Sequence, residues 1–438
     1  MRRAAFHTLG CKVNSYETEA MQELLEQAGY EIVPFTEQAD VYIINTCSVT
    51  NIADRKSRQM LHRAKKQNPD AVVVAAGCYV QEDPEGVRKD EAVDLVVGNN
   101  RKKDLVQLLE GYFEGKEEDA VPDLKKPCEY EELVISTVAE RTRAFVKVQD
   151  GCNQFCSYCI IPFTRGRVRS RRPMDVLEEV KRLAAAGRKE IVLTGIHLSS
   201  YGVDLEEKTG LLDLIRTIHP VEGIERIRLG SLEPGIITRE FTEALSALPK
   251  VCPHFHLSLQ SGCGETLKRM NRRYTPEEYY EKCEILRSVY GNPAITTDVI
   301  VGFPGETEEE FAKTEAFLRR VHFFEMHIFK YSRRKGTRAD RMDNQIPEPV
   351  KTSRSEVLLA LEKQMSEEYR SRFVGKEVRV LLEEETEING EIRMVGHTPE
   401  YVRCAVKTDA PSGTVVTASA AGLYQGEILL AGELTGEI

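Results

Sequence analysis

Short apolar runs alternate with helix-period stretches through roughly the first 115 residues. AAFHTL (4–9), VYIIN (41–45), AVVVAA (71–76) and DLVVG (94–98) read as strands, with amphipathic segments such as ETEAMQELLEQAGY between them. The runs are β-branched and nearly continuous. That predicts strands buried on both faces, hence a parallel sheet layered with helices. Further on, the pattern repeats as strand, loop and helix. AFVKVQ (144–149), EIVLTG (190–195), RIRLG (226–230), HFHLSLQ (254–260), ITTDVIVG (295–302) and EMHIFKYS (325–332) are the strands, and helical stretches follow the first five. Six such units predict a TIM-like barrel in partial form, with its chemistry on the loops after the strands. Beyond the helical segment VLLALEKQMSEEYRSR, five short β runs (EVRVLLEE, EIRMVGH, YVRCAV, GTVVTAS and EILLAGEL) predict a small all-β, OB-like barrel. The expected α/β organisation is an open parallel-sheet domain over 1–115, a charged linker over 116–140, the partial barrel over 141–370 and the β-barrel over 373–438.

Composition narrows the class. The 438 residues are 41% hydrophobic, enough for sizeable cores. A formal net charge of -10 argues against a basic coat over the whole chain. The start, MRRAAFHTLGCKVNSYE, lacks the apolar core of a secretory signal, and the longest apolar run, AVVVAAGCYV (71–80), is too short to cross a bilayer. A cytoplasmic protein without a membrane partner is expected. In that reducing setting, eleven cysteines point to metal or redox chemistry rather than disulfides.

Two groups of cysteines carry the chemistry. GCNQFCSYC (151–159) places Cys152, Cys156 and Cys159 just past the first barrel strand. A structural zinc site closes with four ligands, and an electron-transfer [4Fe–4S] cubane uses four thiolates. Here there are three, and the next cysteine along the chain is Cys252. Three thiolates suit a cubane with one open iron, which an amino and a carboxylate group could chelate. A zinc site would need a fourth ligand from elsewhere. Cys11, Cys47 and Cys78 each follow a strand of the first region and are 36 and 31 residues apart. In an open parallel sheet those positions share one edge, so the three could hold a common metal. The other reading is three separate buried thiols, since free cysteine is among the most buried residue types, but three in register favour the shared site. Cys128 and Cys263 receive no role.

The C-x3-C-x2-C run with Tyr158 before its last cysteine resembles the radical S-adenosylmethionine superfamily. LGCKVNSYE, INTCSVT and AAGCY ahead of the barrel, with CSYCIIPFTRGRVRSR, LTGIHLSSYG, HLSLQSG and DVIVGFPGETEEEF within it, resemble the methylthiotransferases over essentially the whole chain. The likeness is to the tRNA branch acting on N6-threonylcarbamoyladenosine beside the anticodon, giving the 2-methylthio product. Sibling branches act on isopentenyl-adenosine of tRNA and on an aspartate of a ribosomal protein. The resemblance implies two [4Fe–4S] clusters and S-adenosylmethionine. Cys152, Cys156 and Cys159 would hold the radical-generating cluster, and Cys11, Cys47 and Cys78 an auxiliary cluster carrying the sulfur. It also implies a TRAM-like C-terminal barrel, a sulfur source and an electron donor such as a flavodoxin or ferredoxin; a monomer is expected. Tyr158 would lie along the adenine of S-adenosylmethionine, Gly195 beside its amino group, and Val301 and Gly302 where backbone approaches the adenine. Gln260 and Ser261 would line the pocket. The superfamily often has an acid after the glycine near Gly195; here Ile196 follows. No catalytic residue beyond the cluster ligands is implied. His197, His254 and His256 read as packing or hydrogen-bonding residues.

Positive charge recurs on the strand-end loops of this acidic chain. Arg165, Arg167, Arg169, Arg171 and Arg172 fall within eight residues, and Arg272, Arg273, Arg333 and Arg334 follow later strands. Arginine forks suit phosphate oxygens, and Phe163, Tyr201 and Tyr274 could stack on unpaired bases, so an anionic RNA such as a tRNA anticodon stem-loop is the expected partner. Residues 371–438 hold six Lys/Arg against eleven Asp/Glu, which confines any RNA contact there to one face. A non-enzymatic, metal-stabilised RNA-binding protein is the alternative outside catalysis.

Overall fold

Strands β1 (Arg3–Thr8), β2 (Glu31–Val33), β3 (Val41–Thr46), β4 (Val72–Gly77) and β5 (Leu95–Val97) pair in parallel in the order β2-β1-β3-β4-β5. These are elements of a computed structural model that describes residues 1–116, 118, 120–136 and 142–437. Parts of the expected linker, the first position of the expected barrel segment and the last residue of the chain lie outside the described residues. Ile43 and Val74 pack on Met21, Leu25 and Leu108 on one face of the sheet, while Ile44 and Val73 pack on Leu61 and Ala64 on the other. Burial on both faces is why the strands read as unbroken apolar runs. β2 was not foreseen, because an edge strand of three residues carries no period. Strand order reverses between β1 and β3. The crevice past their carboxyl ends is the ligand position in a sheet of this order.

The second region holds β6 (Arg143–Asp150), β7 (Arg169–Ser170), β8 (Glu190–Gly195), β9 (Arg226–Leu229), β10 (His254–His256), β11 (Ala294–Val301) and β12 (Glu325–Lys330). The sheets β7-β6-β8-β9 and β10-β11-β12 are joined by the bridges Ile227 to Val251 and Leu232 to Leu257. All six expected strands are present, and β7 is a short antiparallel addition. Among the described residues β12 does not pair with β6, so the barrel is open along one side. Helices Pro276–Tyr290 and Glu308–Val321 pack outside it, started by capping boxes in which Thr275 pairs with Glu278 and Thr307 with Glu310. Ala144, Val146, Ile191, Leu193, Phe255 and Val299 belong to the outer core. Side chains alternate along a strand, so Arg143, Lys147, Glu190, Arg228, His256 and Asp298 face inward. The lumen is therefore polar.

The N-terminal domain bridges the open side. Glu17, on helix Lys12–Gln27, pairs with Lys147 of β6 at 2.7 Å. On the far side, Arg334 after β12 pairs with Asp54 and Glu82, and Asn51 N donates to Ser332 Oγ at 3.1 Å. The stretch expected to be a linker is strapped down. Ala120, Leu124, Leu133 and Ile135 are buried, and the Tyr130 hydroxyl donates to Lys147 O at 2.8 Å.

β13 (Glu377–Ile388), β14 (Glu391–His397), β15 (Arg403–Val406), β16 (Val415–Tyr424) and β17 (Ile428–Glu437) close a barrel in the order β13-β14-β15-β17-β16. Its β14–β15 loop sits against the amino-terminal end of the lumen. Arg226 donates to His397 O and Arg228 to Pro399 O, both at 2.8 Å. The Tyr401 ring lies 4.7 Å from the Arg228 guanidinium and 4.9 Å from that of Arg143. Tyr401 holds a left-handed φ of 70°, a conformation that persists only where its surroundings impose it. No helix among the described residues is long and apolar enough to cross a membrane.

Candidate functional site

Cys11, Cys47 and Cys78 follow β1, β3 and β4, at the point where strand order reverses. They are neighbours. Burial, with the Cys78 and Cys11 sulfurs adding to it, pushes the Cys47 thiol up to about 12. Gly10 takes φ 101°, and a side chain there would put its Cβ 2.8 Å from Cys47 Sγ. Only glycine lets the chain turn between β1 and Cys11 at that spacing. Cys78 accepts a long contact of 3.6 Å from Asn99 Nδ2, which also donates to Thr164 O at 2.7 Å. This trio thus abuts the chain just past the other one.

The loop carrying Cys152, Cys156 and Cys159 is held by its own backbone and by the chain after β10. Cys152 N donates to Gly166 O and Cys159 N to Cys156 O, both at 3.0 Å. Ser157 N donates to Met270 O, and Asn271 Nδ2 to Phe155 O, both at 2.9 Å. Burial, with Cys156 and Cys152 adding to it, pushes the Cys159 thiol up to about 12. Thiols held so high ionise only beside a strong positive charge, as a metal supplies. Each trio offers three soft sulfur donors that the fold brings near one another. Three sulfurs fit a [4Fe–4S] cubane that keeps one iron for another ligand.

The second trio lines a cavity of about 320 Å³ together with Tyr158, His197, Glu233, Gln260, Asp298 and Arg272. Val49 and Thr50, two and three residues past Cys47, complete its wall. The two cysteine loops therefore meet at one cavity. Sequence reasoning overlooked Glu233, whose only signal was being an acid on a strand-end loop. Burial opposes its ionisation, but His197 and Arg272 outweigh burial and hold the carboxyl below its usual range. Arg272 Nη2 lies 2.7 Å from Glu233 Oε1 and Nη1 lies 3.3 Å from Cys156 Sγ. Hydrogen bonds to cluster sulfurs raise the reduction potential.

Of the residues expected around S-adenosylmethionine, Tyr158 and Gln260 line the cavity and Gly195, Ser261, Val301 and Gly302 do not. Gly195 is backed by Gln149, and its neighbours Ile196 and His197 reach the cavity instead. Ile300 faces the cavity while the Val301 side chain belongs to the outer core, which leaves Val301 its backbone to offer. Ser261 is buried, with its hydroxyl engaged by Cys263 N and Thr314 at 3.2 Å. Gly302 makes room for the helix Glu348–Ser371, where an added Cβ would lie 2.3 Å from Lys351 Cγ.

The arginine expectation needs correction. Arg165, Arg169, Arg171 and Arg334 are buried and meet acids, so they do not face an RNA. Arg272 is inside the cavity wall. Arg167, Arg172, Arg273 and Arg333 remain exposed. Tyr201 is buried, with its hydroxyl on Arg171 O, and Tyr274 is turned inward onto the carbonyls of Ser258 and Leu259. Phe163 is exposed.

Residues 3–98 match the family described as Uncharacterized protein family UPF0004, and residues 146–318 match the Radical SAM superfamily. The threonylcarbamoyladenosine tRNA methylthiotransferase MtaB of Bacillus subtilis is 44% identical over 95% of this chain and 93% of its own length. The protein of the same name from Aquifex aeolicus is 43% identical over 88% of this chain and 94% of its own. A tRNA-2-methylthio-N(6)-dimethylallyladenosine synthase from a Thermoanaerobacter species is 40% identical over 86% of this chain and 81% of its own. In fold, the chain is similar to the radical S-adenosylmethionine methyltransferase TsrM of Kitasatospora setae. The TM-score is 0.56 at 16% identity, over 75% of each chain. A cavity walled by one cysteine trio and by the chain just past another, and likeness of this extent along nearly the whole length, place the chain in the radical S-adenosylmethionine methylthiotransferase family.

Proposed function

We infer that this enzyme inserts a methylthio group at C2 of N6-threonylcarbamoyladenosine next to the anticodon of tRNA. The observation that carries the reading is the meeting of the two cysteine loops at one cavity, through Val49 and Thr50 on one side and Cys152, Cys156 and Cys159 on the other. Cys152, Cys156 and Cys159 would hold the cluster that binds S-adenosylmethionine, and Cys11, Cys47 and Cys78 the cluster that presents sulfur. When bound, these groups supply a 5′-deoxyadenosyl radical, a methyl group and a sulfur atom. The protein's own part is to aim them at one point and keep water from it. The choice of adenosine derivative is supported by the names of the relatives at 44% and 43% identity.

Segment 1–115 would serve as the sulfur-presenting domain, 116–140 as its tether, 141–370 as the radical-generating core and 373–438 as a TRAM-like barrel. The exposed Arg167, Arg172, Arg273 and Arg333 would meet RNA phosphates. The chain would act as a cytoplasmic monomer, fed electrons by a flavodoxin or ferredoxin and sulfur by a separate donor. The test is nucleoside mass analysis after incubating the reconstituted enzyme with stem-loop RNAs carrying threonylcarbamoyl- or dimethylallyl-adenosine. A gain of one methylthio group on the first is expected; a gain only on the second would overturn the reading.

A further inference from the structure

Apart from the cysteine groups, His256, Asp298 and His327 bring one ligand atom each within 4.8 Å of one another. Strand register puts them there. His256 of β10 stands opposite Thr296 of β11, and Asp298, two residues on, stands opposite His327 of β12. Side chains alternate along a strand, so all three project from the same face, into the lumen. The His256 and His327 rings are stacked, with centroids 5.8 Å apart.

The contact between His256 and Asp298 is not an ordinary ion pair. His256 Nε2 lies 3.3 Å from Asp298 Oδ2, and although buried it has no hydrogen-bond partner. A charge-assisted hydrogen bond would be shorter, roughly 2.7–2.9 Å. His256 Nδ1 is 3.0 Å from Thr296 Oγ1. With the ring proton on Nδ1 and directed at that hydroxyl, Nε2 presents a lone pair to a carboxylate. Two acceptors then face each other, and a cation between them resolves the conflict. Donors about 2.1 Å from a tetrahedral ion stand about 3.4 Å apart, close to the separation here. The Thr296 contact is then the hydrogen bond that fixes the tautomer and aim of a metal-bound imidazole. The arginines of the lumen do not stand unopposed against such an ion. Arg228 is paired with Glu190 at 2.8 Å and Arg143 with Glu383 at 3.3 Å.

We propose that His256, Asp298 and His327 bind one divalent transition ion, such as zinc, cobalt or iron(II). Two imidazoles and one carboxylate form a donor set that suits these ions better than calcium or magnesium. It contains no sulfur, so the site is separate from both cysteine trios. Asp298 also belongs to the wall of the cavity described above. Three protein donors leave positions open, and a carboxylate or hydroxyl oxygen of a bound substrate is the chemistry that would complete them. The site does not depend on which nucleoside the enzyme modifies. The competing arrangement, Thr296 donating to Nδ1 and Nε2 donating to Asp298, predicts no metal.

The test uses the enzyme with both clusters in place, equilibrated with cobalt(II), desalted anaerobically and assayed for cobalt and iron by plasma mass spectrometry. About one cobalt per chain is expected beside about eight irons. His327→Ala and the isosteric Asp298→Asn should each lose that cobalt while keeping the iron, which shows that the fold and both clusters survive. X-ray absorption at the cobalt edge of the wild type should give nitrogen and oxygen donors at about 2.1 Å and no sulfur at about 2.3 Å. Cobalt retained equally by wild type and both variants, cobalt held through sulfur, or no cobalt in the wild type would each overturn the proposal. Should a variant lose iron as well, the presence or absence of sulfur around the wild-type cobalt decides the matter alone.

Discussion

Arg165 Nη1 lies 2.8 Å from Glu17 Oε1, with both side chains withdrawn from solvent. Each residue stands six positions past a member of a cysteine trio, Cys159 in one case and Cys11 in the other. Arg165 also donates to Asn14 Oδ1 at 2.6 Å, and Glu17 further meets Lys102 and Lys147. This buried network fixes the spacing between the two loops. Burial alone would raise the Glu17 carboxyl, but Arg165, Lys102 and Lys147 outweigh it and hold it well below the usual carboxylate range.

Replacing Glu17 with Gln leaves three buried cations short of one negative partner, which costs about 3–5 kcal/mol. Because the carboxyl is depressed in the folded protein, its contribution is fully present above the ordinary carboxylate value near pH ~4.3. It is lost as pH falls through the lower folded value. The gap in thermal midpoint between wild type and Glu17→Gln should therefore be widest at neutral pH, start to narrow near pH ~4 and vanish only below the lower folded value. A gap independent of pH would place the cost elsewhere.

Cys156→Ala removes a ligand from the trio lining the cavity. Formation of 5′-deoxyadenosine on reduction with S-adenosylmethionine should cease, and about half of the bound iron should be lost. Cys47→Ala should lose a similar share of iron and all methylthio product, yet keep part of the cleavage. Chromatographic assay of 5′-deoxyadenosine beside nucleoside mass analysis separates the two. Equal loss of cleavage in both variants would argue against separate duties.

Arg272→Met deletes the donor 3.3 Å from Cys156 Sγ together with its charge. Less positive surroundings stabilise the oxidised form, so the potential of that cluster should fall in an electron-paramagnetic-resonance redox titration. Reductive cleavage should slow by on the order of 10-fold. An unchanged potential would leave Arg272 only its bond to Glu233.

Arg167→Ala, Arg273→Ala and Arg333→Ala should each weaken tRNA binding across sequences and reduce the slope of log affinity against log salt by about 1. Arg171→Ala should instead lower the thermal midpoint, since Glu179 loses its 2.7 Å partner. Equal slopes in wild type and all three surface variants would mean the RNA docks on another face.

The strands were legible because burial on one or both faces writes a period into the chain. The two cysteine groups were read for different reasons: Cys152, Cys156 and Cys159 share one loop, whereas Cys11, Cys47 and Cys78 follow three strands of one sheet edge. The arginines were misread for the converse reason. FTRGRVRSR looks like a solvated basic run, but the acids that neutralise it, Glu17, Asp150 and Glu179, come from a helix, a strand and another helix that only the fold brings near. Ser261 packs on Thr314 and Cys263 rather than on the cavity, because loop direction is not settled by spacing alone.

The Tyr401 loop stoppers the lower end of the lumen, held by Arg226 and Arg228. That end of the lumen is thus plugged by a loop from another domain. Loosening that loop would therefore admit water into the barrel from the end away from the cysteine loops.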